Sequence, residues 1–279
     1  ALIVFSSSMI TPLLVGLSIL TLLWFSWRYA WWRPATSWNR PRVLMYHMIC
    51  RHRPGTRFNK LRVPPDEFRK QVSWLSRKEF TFLHASELLA TSPPMPAVCL
   101  TFDDGYRDNL LEADRVLADF EGKATLYLVT EREGSWSSKK KVHHPDDELA
   151  SEPKLSDDEI RELLATGRWE LGGHTTTHAN LSKISTEDAR REISAARQDF
   201  AERFGVIPPT FAYPFGIYQP RHCRLVEEAG YLAAVTVEPG VMGFPPLSPY
   251  EIPRVKISGK EGMLGFMLRM RGGKRGLSK

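Results

Sequence analysis

Short apolar segments alternate with amphipathic segments between residues 43 and 257, and this alternation predicts an α/β fold. Each apolar segment has four to seven residues, the length of a buried strand, and is bounded by glycine, proline or polar residues. The segments between them repeat apolar residues at the spacing of a helix face. Repeated strand-then-helix units imply a mainly parallel sheet covered by helices, either open or closed into a barrel.

The individual elements follow from local signals. After the first strand, Asp66 follows two prolines and has the residue type of a helix N-cap. Two later helices end before Gly167 and Gly205, because glycine readily adopts the left-handed conformation that ends a helix. The predicted strands are residues 43–47, 97–102, 124–129, 169–172, 210–213, 231–237 and 252–257. Of the predicted helices, one begins after Asp66 and the others span residues 109–120, 156–165, 185–204 and 221–229.

The N-terminal segment predicts one transmembrane helix before the globular part. No charged residue occurs from residue 1 to residue 27, and residues 9–27 are nearly continuously apolar, enough to cross the hydrocarbon layer of a bilayer. An aromatic belt lies around the end of this run: Trp24, Phe25, Trp27, Tyr29, Trp31 and Trp32. A cleaved signal peptide would have a basic stretch before the run and a small-residue cleavage site after it, and neither is present, so we expect an uncleaved anchor.

Two segments interrupt the strand–helix pattern. Residues 131–154 are polar and carry three consecutive lysines at positions 139–141, and we expect a long loop beside the functional site. The segment from Gly262 onward mixes apolar residues with arginine and lysine, which favours either an amphipathic helix on a membrane or a solvated tail. The predicted organisation is an anchor at 1–33, a linker at 34–42, a globular domain at 43–260 and a basic tail at 261–279.

Composition excludes several classes of protein. Of the 279 residues, 42% are hydrophobic and 25% are charged, as in a folded globular protein and unlike a disordered one. The formal net charge of +6 is spread along the chain without a nucleic-acid-binding motif, so we expect no nucleic-acid partner. The three cysteines, Cys50, Cys99 and Cys223, are odd in number and far apart, which argues against a disulfide framework and against a cysteine zinc site.

A pair of aspartates follows the second predicted strand. Asp103 and Asp104 belong to the sequence TFDDGY at residues 101–106. Ligands of parallel α/β folds bind beyond the carboxyl ends of the strands, so both carboxylates lie where chemistry usually occurs. The same residue types also suit an ordinary turn, and the motif alone leaves both interpretations open.

A pair of histidines follows the fourth predicted strand, in the sequence GGHTTTH at residues 172–178. His174 and His178 are four positions apart and share one face if that turn is helical. Together with Asp104 they can bind one divalent metal and leave coordination positions open, as catalytic metal sites require. Such a metal polarises an amide carbonyl and acidifies water. Successive side chains diverge along an extended chain, so Asp103 is free to act as general base.

Two histidines and a carboxylate also serve non-haem iron oxygenases. An oxygenase needs one carboxylate, whereas a hydrolase explains both Asp103 and Asp104. The residues therefore favour a hydrolase and leave the oxygenase as an alternative.

TFDDGY, followed about 70 positions later by HTTTH, resembles the first two motifs of the NodB-homology polysaccharide deacetylases. The resemblance covers residues 43–257 and implies a distorted (β/α) barrel. It implies that Asp103 is the base and that Asp104, His174 and His178 bind zinc or a similar metal. The implied reaction is hydrolysis of an N-acetyl group with release of acetate.

A third motif departs from the commoner pattern of that family. Members often have Arg-x-Pro-Tyr where this chain has AYPFG at residues 212–216, so the arginine that orients the base is absent there. Arg254, in the sequence IPRV, is a candidate to replace it. The backbone N–H of Phe215 remains a candidate oxyanion donor, since that role needs no particular side chain.

The late general-acid histidine of many relatives is also missing, because no histidine follows His222. Instead MYH at residues 45–47 ends the first strand, which resembles the branch of bacterial poly-N-acetylglucosamine deacetylases whose acid histidine comes from an early strand. We predict that His47 is the general acid, the alternative being a structural histidine. Tyr106 and Tyr213 complete the predicted substrate site with Phe215 and Arg254, although packing at the barrel mouth explains the two tyrosines equally well.

The substrate and the location stay open between alternatives. Polysaccharides of the cell envelope, lipid-linked sugars and non-sugar amides all fit the resemblance, and so does a non-catalytic glycan-binding protein of the same fold. The predicted anchor favours a cell-envelope substrate and, with the resemblance, an extracytoplasmic domain. The positive-inside rule favours the cytoplasmic side, because four arginines follow the apolar run: Arg28, Arg33, Arg40 and Arg42.

Overall fold

The centre of the molecule is a closed barrel of parallel strands. The computed structural model describes residues 7–90, 92–132, 148–149, 151–274 and 276. Its strands are β1 (Arg42–Tyr46), β2 (Thr81–Phe82), β3 (Ala97–Asp103), β4 (Ala124–Leu128), β5 (Trp169–Gly173), β6 (Thr210–Ala212), β7 (Ala233–Pro239) and β8 (Ile252–Lys256). β1 pairs in parallel with β3 and with β8, which closes seven strands into a ring, while β2 adds to the first residues of β3. The predicted (β/α) barrel is confirmed, in its closed form.

Helices cover the outside of this barrel. The helices are α1 (Ser7–Tyr29), whose apolar span is not buried, and the covering helices α2 (Pro65–Arg77), α3 (Arg115–Asp119), α4 (Asp157–Ala165), α5 (Thr186–Phe204), α6 (Pro220–Glu228) and α7 (Met263–Gly272). The stretch Asn109–Asp114 before α3 is π-helical. Serine caps begin α4 and α5, and Gly205, with φ of 67°, ends α5 as the sequence predicts. Asp66 is not the N-cap of α2: Pro64 holds that position and Pro65 begins the helix, where its missing N–H costs no hydrogen bond.

Side chains of the barrel strands alternate between two apolar layers. Leu44 and Phe102 pack with the buried face of α2, so their layer lies between the barrel and its helices. Val43, Cys99 and Tyr127 belong to a second cluster, which fills the inside of the barrel. Because alternate residues share a face, Asp103 at the end of β3 points to the same side as Cys99. The three cysteines are free, as predicted.

The C-terminal helix α7 is part of the packed structure. Phe266 and Met270 are buried, and the Phe266 ring lies 5.8 Å from the Trp74 ring of α2. Arg269 forms a buried ion pair with Glu261 at 2.6 Å. Residues 263–272 are therefore a packed helix and not a solvated tail.

One described helix is long and apolar enough to cross a membrane, by length and composition. It is the 19-residue segment Thr11–Tyr29 of α1, and none of it is buried. A signal sequence near an N-terminus has the same properties. Of the predicted loop at 131–154, residues 133–147 and 150 lie outside the described residues, and the flanking residues Glu152 and Lys154 lie beside the barrel.

Candidate active site

The two aspartates at the end of β3 point in different directions. Asp103 is the last residue of the strand, and Asp104 follows in a left-handed conformation with φ of 79°. The Asp104 N–H donates to the carbonyl of Tyr127 at 3.0 Å, which holds this turn against β4. The left-handed conformation of Asp104 turns the chain, and the neighbouring carboxylates face different partners.

The two histidines lie on the loop after β5. The preceding glycines allow close packing, because a Cβ on Gly172 would lie 2.4 Å from the Tyr127 ring and one on Gly173 would lie 2.3 Å from the Tyr231 hydroxyl. His178 has a positive φ of 57°, so the segment is a tight loop and not the regular helical turn that the sequence suggests. Both imidazoles nevertheless face the same point.

Asp104, His174 and His178 form a buried group of potential metal ligands. The Asp104 Oδ1 lies 3.4 Å from Nε2 of His174 and 3.4 Å from Nε2 of His178. All three ligand atoms lie within 4.8 Å of one another. Two ligands that are each about 2.1 Å from a tetrahedral ion lie about 3.4 Å apart. The spacing and the nitrogen–oxygen donor set therefore fit a divalent metal.

Neighbouring groups orient these ligands. Nδ1 of His174 lies 2.7 Å from the Ala212 carbonyl, so the proton sits on Nδ1 and the lone pair of Nε2 faces Asp104. The ring of His178 packs edge-on against Phe215, with 4.4 Å between centroids. Burial alone would raise the pKa of Asp104, but the two histidines hold it far below its usual value. The carboxylate of Asp104 is thus ionised.

Asp103 forms a bidentate ion pair with Arg254 of β8. The guanidinium donates to the two carboxylate oxygens at 2.7 and 2.8 Å, and both side chains are almost fully buried. The same guanidinium donates to the Thr236 carbonyl at 2.8 Å and to the Thr101 hydroxyl at 3.0 Å, which fixes its plane. Burial would raise the pKa of Asp103, but the charge and hydrogen bonds of Arg254 hold it below its usual value. Arg254 therefore makes the contact with Asp103 that a replacement for the arginine absent from residues 212–216 needs.

His47 lies at the same end of the barrel. It follows Tyr46, which is paired with Phe102 beside Asp103, and its backbone carbonyl accepts a hydrogen bond from Asn109 at 2.9 Å. The positive charge of His47, when protonated, lowers the pKa of Asp103 and of Asp104. The structure therefore brings His47 to the group formed by the two aspartates.

The other predicted substrate residues differ in their exposure. Phe215 is half-buried beside His178, in a left-handed turn with φ of 59°. The Tyr106 ring is buried under Lys154, whose Nζ lies 3.5 Å from the ring centroid. Tyr213 is fully buried and donates to the Tyr250 carbonyl at 3.1 Å, so the structure places it in packing, the alternative that the sequence leaves open.

Glu192 of α5 is a residue that sequence reasoning missed. Its carboxylate accepts hydrogen bonds from the N–H groups of Thr176 and Thr177, both at 3.0 Å, and from the Thr177 hydroxyl at 2.8 Å. These threonines lie between the two histidines, so Glu192 holds the loop that carries both ligands. A glutamate inside an amphipathic helix looks like a solvated surface residue, and no sequence signal distinguishes this one.

Comparisons with known proteins agree with this geometry. The model of the polysaccharide deacetylase family matches residues 90–234, more than half of the chain. YxkH of Bacillus subtilis (strain 168), named as a polysaccharide deacetylase, is 29% identical over 228 residues, which cover 80% of this chain and 72% of that protein. The poly-β-1,6-N-acetyl-D-glucosamine N-deacetylase of Staphylococcus aureus (strain MRSA252) is 25% identical over 208 residues, which cover 70% of this chain and 68% of that protein.

A solved structure shows the same fold. The polysaccharide deacetylase BC0361 from Bacillus cereus matches with a TM-score of 0.70 and 25% identity, covering 83% of this chain and 69% of that one. The chain therefore belongs to the polysaccharide deacetylase family, whose members are hydrolases of carbon–nitrogen bonds other than peptide bonds. The hydrolase interpretation is confirmed, and the oxygenase alternative is wrong.

The contacts of Glu192 predict an effect on metal affinity. We expect Glu192→Ala to weaken Zn²⁺ binding about 10–100-fold, because the loop between His174 and His178 loses the acceptor that orders it. Glu192→Gln, which keeps one acceptor oxygen, should lose less. Isothermal titration of the metal-free protein with Zn²⁺ measures both. Glu202→Ala, on the exposed face of the same helix, is the control, and an unchanged affinity in Glu192→Ala would show that the loop is ordered by other contacts.

Proposed function

We propose that this protein is a metal-dependent deacetylase that hydrolyses N-acetyl groups of an N-acetylated glycan of the cell envelope and releases acetate. The observation that supports this most is the juxtaposition of a buried Asp–His–His ligand group with a second, ionised aspartate held by Arg254. A metal site alone would need only the Asp–His–His group. The second carboxylate is the base that hydrolysis requires.

Asp103 serves as general base in this proposal. It removes a proton from the attacking water while that water adds to the acetamide carbonyl. The role requires an ionised carboxylate in a buried site, and Arg254 supplies the charge that keeps it ionised. Arg254 is thus a positioning residue, since its guanidinium also fixes the orientation of both carboxylate oxygens.

His47 serves as general acid. It delivers a proton to the nitrogen of the sugar as the carbon–nitrogen bond breaks, so that a neutral amine leaves. Its position at the end of β1, the strand paired with β3, supports this assignment, because it places the imidazole close to the two aspartates. The backbone N–H of Phe215 donates to the carbonyl oxygen as negative charge develops there.

A divalent metal, for which Zn²⁺ suits the two imidazoles and one carboxylate, would polarise the acetamide carbonyl and acidify the water when bound. Asp104, His174 and His178 would hold it. Their tight spacing and the hydrogen bond from His174 to Ala212 support this assignment.

The substrate class and the location follow from two further observations. One relative, the Staphylococcus aureus enzyme, is named for poly-β-1,6-N-acetyl-D-glucosamine, and we propose that this chain acts on the same class of polymer or on a lipid-linked N-acetylated sugar. The exposed apolar span Thr11–Tyr29 supports a single-pass membrane anchor that keeps the barrel at the envelope. The proposed reaction does not depend on the proposed substrate class or on the proposed membrane anchor.

Acetate release tests the proposed reaction. The full chain is incubated with β-1,6-linked N-acetylglucosamine oligomers, and acetate is quantified with and without a chelator. We expect the chelator to abolish release and Zn²⁺ to restore it. Asp103→Asn should lower kcat by about 10²–10⁴, because the amide cannot accept the proton. Acetate release that survives both the chelator and Asp103→Asn would contradict the mechanism.

Two controls accompany this assay. Asp119→Asn removes one carboxylate from the exposed end of α3 and should leave kcat unchanged. His47→Gln tests the acid and should lower kcat. The control His84→Gln should not, because the His84 ring is hydrogen-bonded to the carbonyl of Arg168, before the start of β5, and the candidate site lies after its end. Equal rates in the two histidine variants would exclude His47 as the acid.

The Asp103–Arg254 pair predicts a change in the pH–rate profile. In Arg254→Gln the burial that raises the pKa of Asp103 remains, while the charge that lowers it is gone, so this pKa rises. The base acts only when ionised, and the acidic limb of kcat/KM against pH should therefore move to higher pH. Arg254→Lys keeps the charge and should move it less. An acidic limb at the same pH in the wild type and in Arg254→Gln would show that Asp103 is not the titrating base.

A further inference from the structure

A cavity lies between the end of α1 and the end of α7, away from the active site. Its volume is about 230 Å³, which is room for several water molecules at roughly 30 Å³ each. Tyr29 and Trp31 line it from the side of α1, and Arg33, Arg271 and Lys274 contribute the basic groups. The cavity is smaller than a typical pocket for a drug-sized ligand and suits a compact polar group.

Within the described residues, the positive charge of this cavity is not balanced by a carboxylate. Within the described part of the chain, no carboxylate pairs with Arg33, Arg271 or Lys274. The nearby acidic residue Glu261 already pairs with Arg269 at 2.6 Å and lies 3.8 Å from Arg28. Three positive charges around one small cavity favour an anion.

Two of the basic groups, Arg33 and Arg271, are held in place by backbone carbonyls. Arg271 donates to the carbonyls of Trp31 and Arg33 at 3.0 and 3.2 Å, and Arg33 donates to the carbonyl of Gly276 at 3.2 Å. An arginine has five N–H donors, so donors remain on both guanidinium groups. The Thr36 N–H donates to the Arg271 carbonyl at 2.7 Å, which joins the linker to α7. The cavity is thus a fixed feature of the fold.

Its position relative to the apolar span indicates the source of the anion. The 19 residues Thr11–Tyr29 form a helix about 28 Å long, close to the thickness of the hydrocarbon layer. The cavity begins at Tyr29, where that span ends, so it would lie at the level of the lipid headgroups. Trp27 and Trp31 are exposed beside it, as aromatic residues are at a membrane–water boundary.

We propose that this cavity binds the phosphate group of an anionic membrane lipid. The inference rests on the membrane anchor that is part of the proposed function. Arg33, Arg271 and Lys274 provide the charge and hydrogen bonds for a phosphate, and the aromatic rings contact the lipid beside it. Because α7 packs on the barrel, a lipid bound here fixes the orientation of the barrel relative to the bilayer.

Two measurements on the full chain test the proposal. The first is resistance to carbonate extraction from neutral phosphatidylcholine liposomes, which reports insertion of the anchor alone. The second is native mass spectrometry of the detergent-solubilised protein, titrated with phosphatidylglycerol and with phosphatidylcholine. We expect phosphatidylglycerol to bind at least tenfold more tightly, with roughly a fivefold loss of that preference for each positive charge removed from the cavity.

The variants separate the cavity from general basicity and from misfolding. Lys274→Gln removes a charge whose side chain makes no hydrogen bond within the described residues, and Arg271→Gln/Lys274→Gln removes two. Arg271→Lys keeps the charge and should keep most of the preference. Arg115→Gln/Lys183→Gln removes two exposed charges elsewhere on the barrel and should change nothing.

Each outcome has a defined meaning. Insertion into liposomes without any preference for phosphatidylglycerol, or a preference that Lys274→Gln and the double variant retain, would overturn the lipid site and leave the anchor intact. Complete extraction by carbonate would refute the anchor and with it this inference, but not the deacetylase chemistry. Displacement of phosphatidylglycerol by low millimolar inorganic phosphate would assign the cavity to free phosphate and overturn the lipid assignment.

Discussion

β1 pairs with β3 along one edge and with β8 along the other, and this closure of the barrel assembles the candidate active site. It places His47 at the end of β1 beside the two aspartates at the end of β3. It also brings Arg254 of β8 across the barrel interior to Asp103, at a distance of 151 positions in the sequence. In an open sheet, the ends of β1, β3 and β8 would not meet at one end of a barrel.

The ligand group depends on backbone conformations that are unfavourable for most residues. Asp104, Thr175, His178 and Phe215 all have positive φ values. Such residues persist where surrounding contacts hold them, and they concentrate at functional sites. Here the contacts are the hydrogen bond from Asp104 to β4 and the carboxylate of Glu192 under the histidine loop. The free energy that folding releases elsewhere in the barrel maintains this arrangement.

Much of the barrel and the candidate ligands could be predicted from the sequence, for physical reasons. Strands buried on both sides are short apolar runs, and polar motifs directly after them mark the barrel mouth, as with Asp103 and Asp104. Arg254 could be proposed because an expected arginine was missing. The strand β2 could not be predicted, because a segment of two residues shows no periodicity. Glu192 and the packed helix α7 were also missed, because both depend on contacts between residues distant in sequence. Arg42 is one of the four arginines that follow the apolar run, but its side chain is buried and donates to four backbone carbonyls.

Anomalous X-ray diffraction can test whether Asp104, His174 and His178 bind one divalent metal. Crystals of the protein with added Zn²⁺ would be measured on both sides of the zinc absorption edge. We expect one anomalous peak about 2.0–2.2 Å from an Asp104 oxygen and from Nε2 of each histidine, and no such peak in crystals of His174→Gln. A peak elsewhere, or none at these three side chains, would show that Asp104, His174 and His178 do not form the metal site.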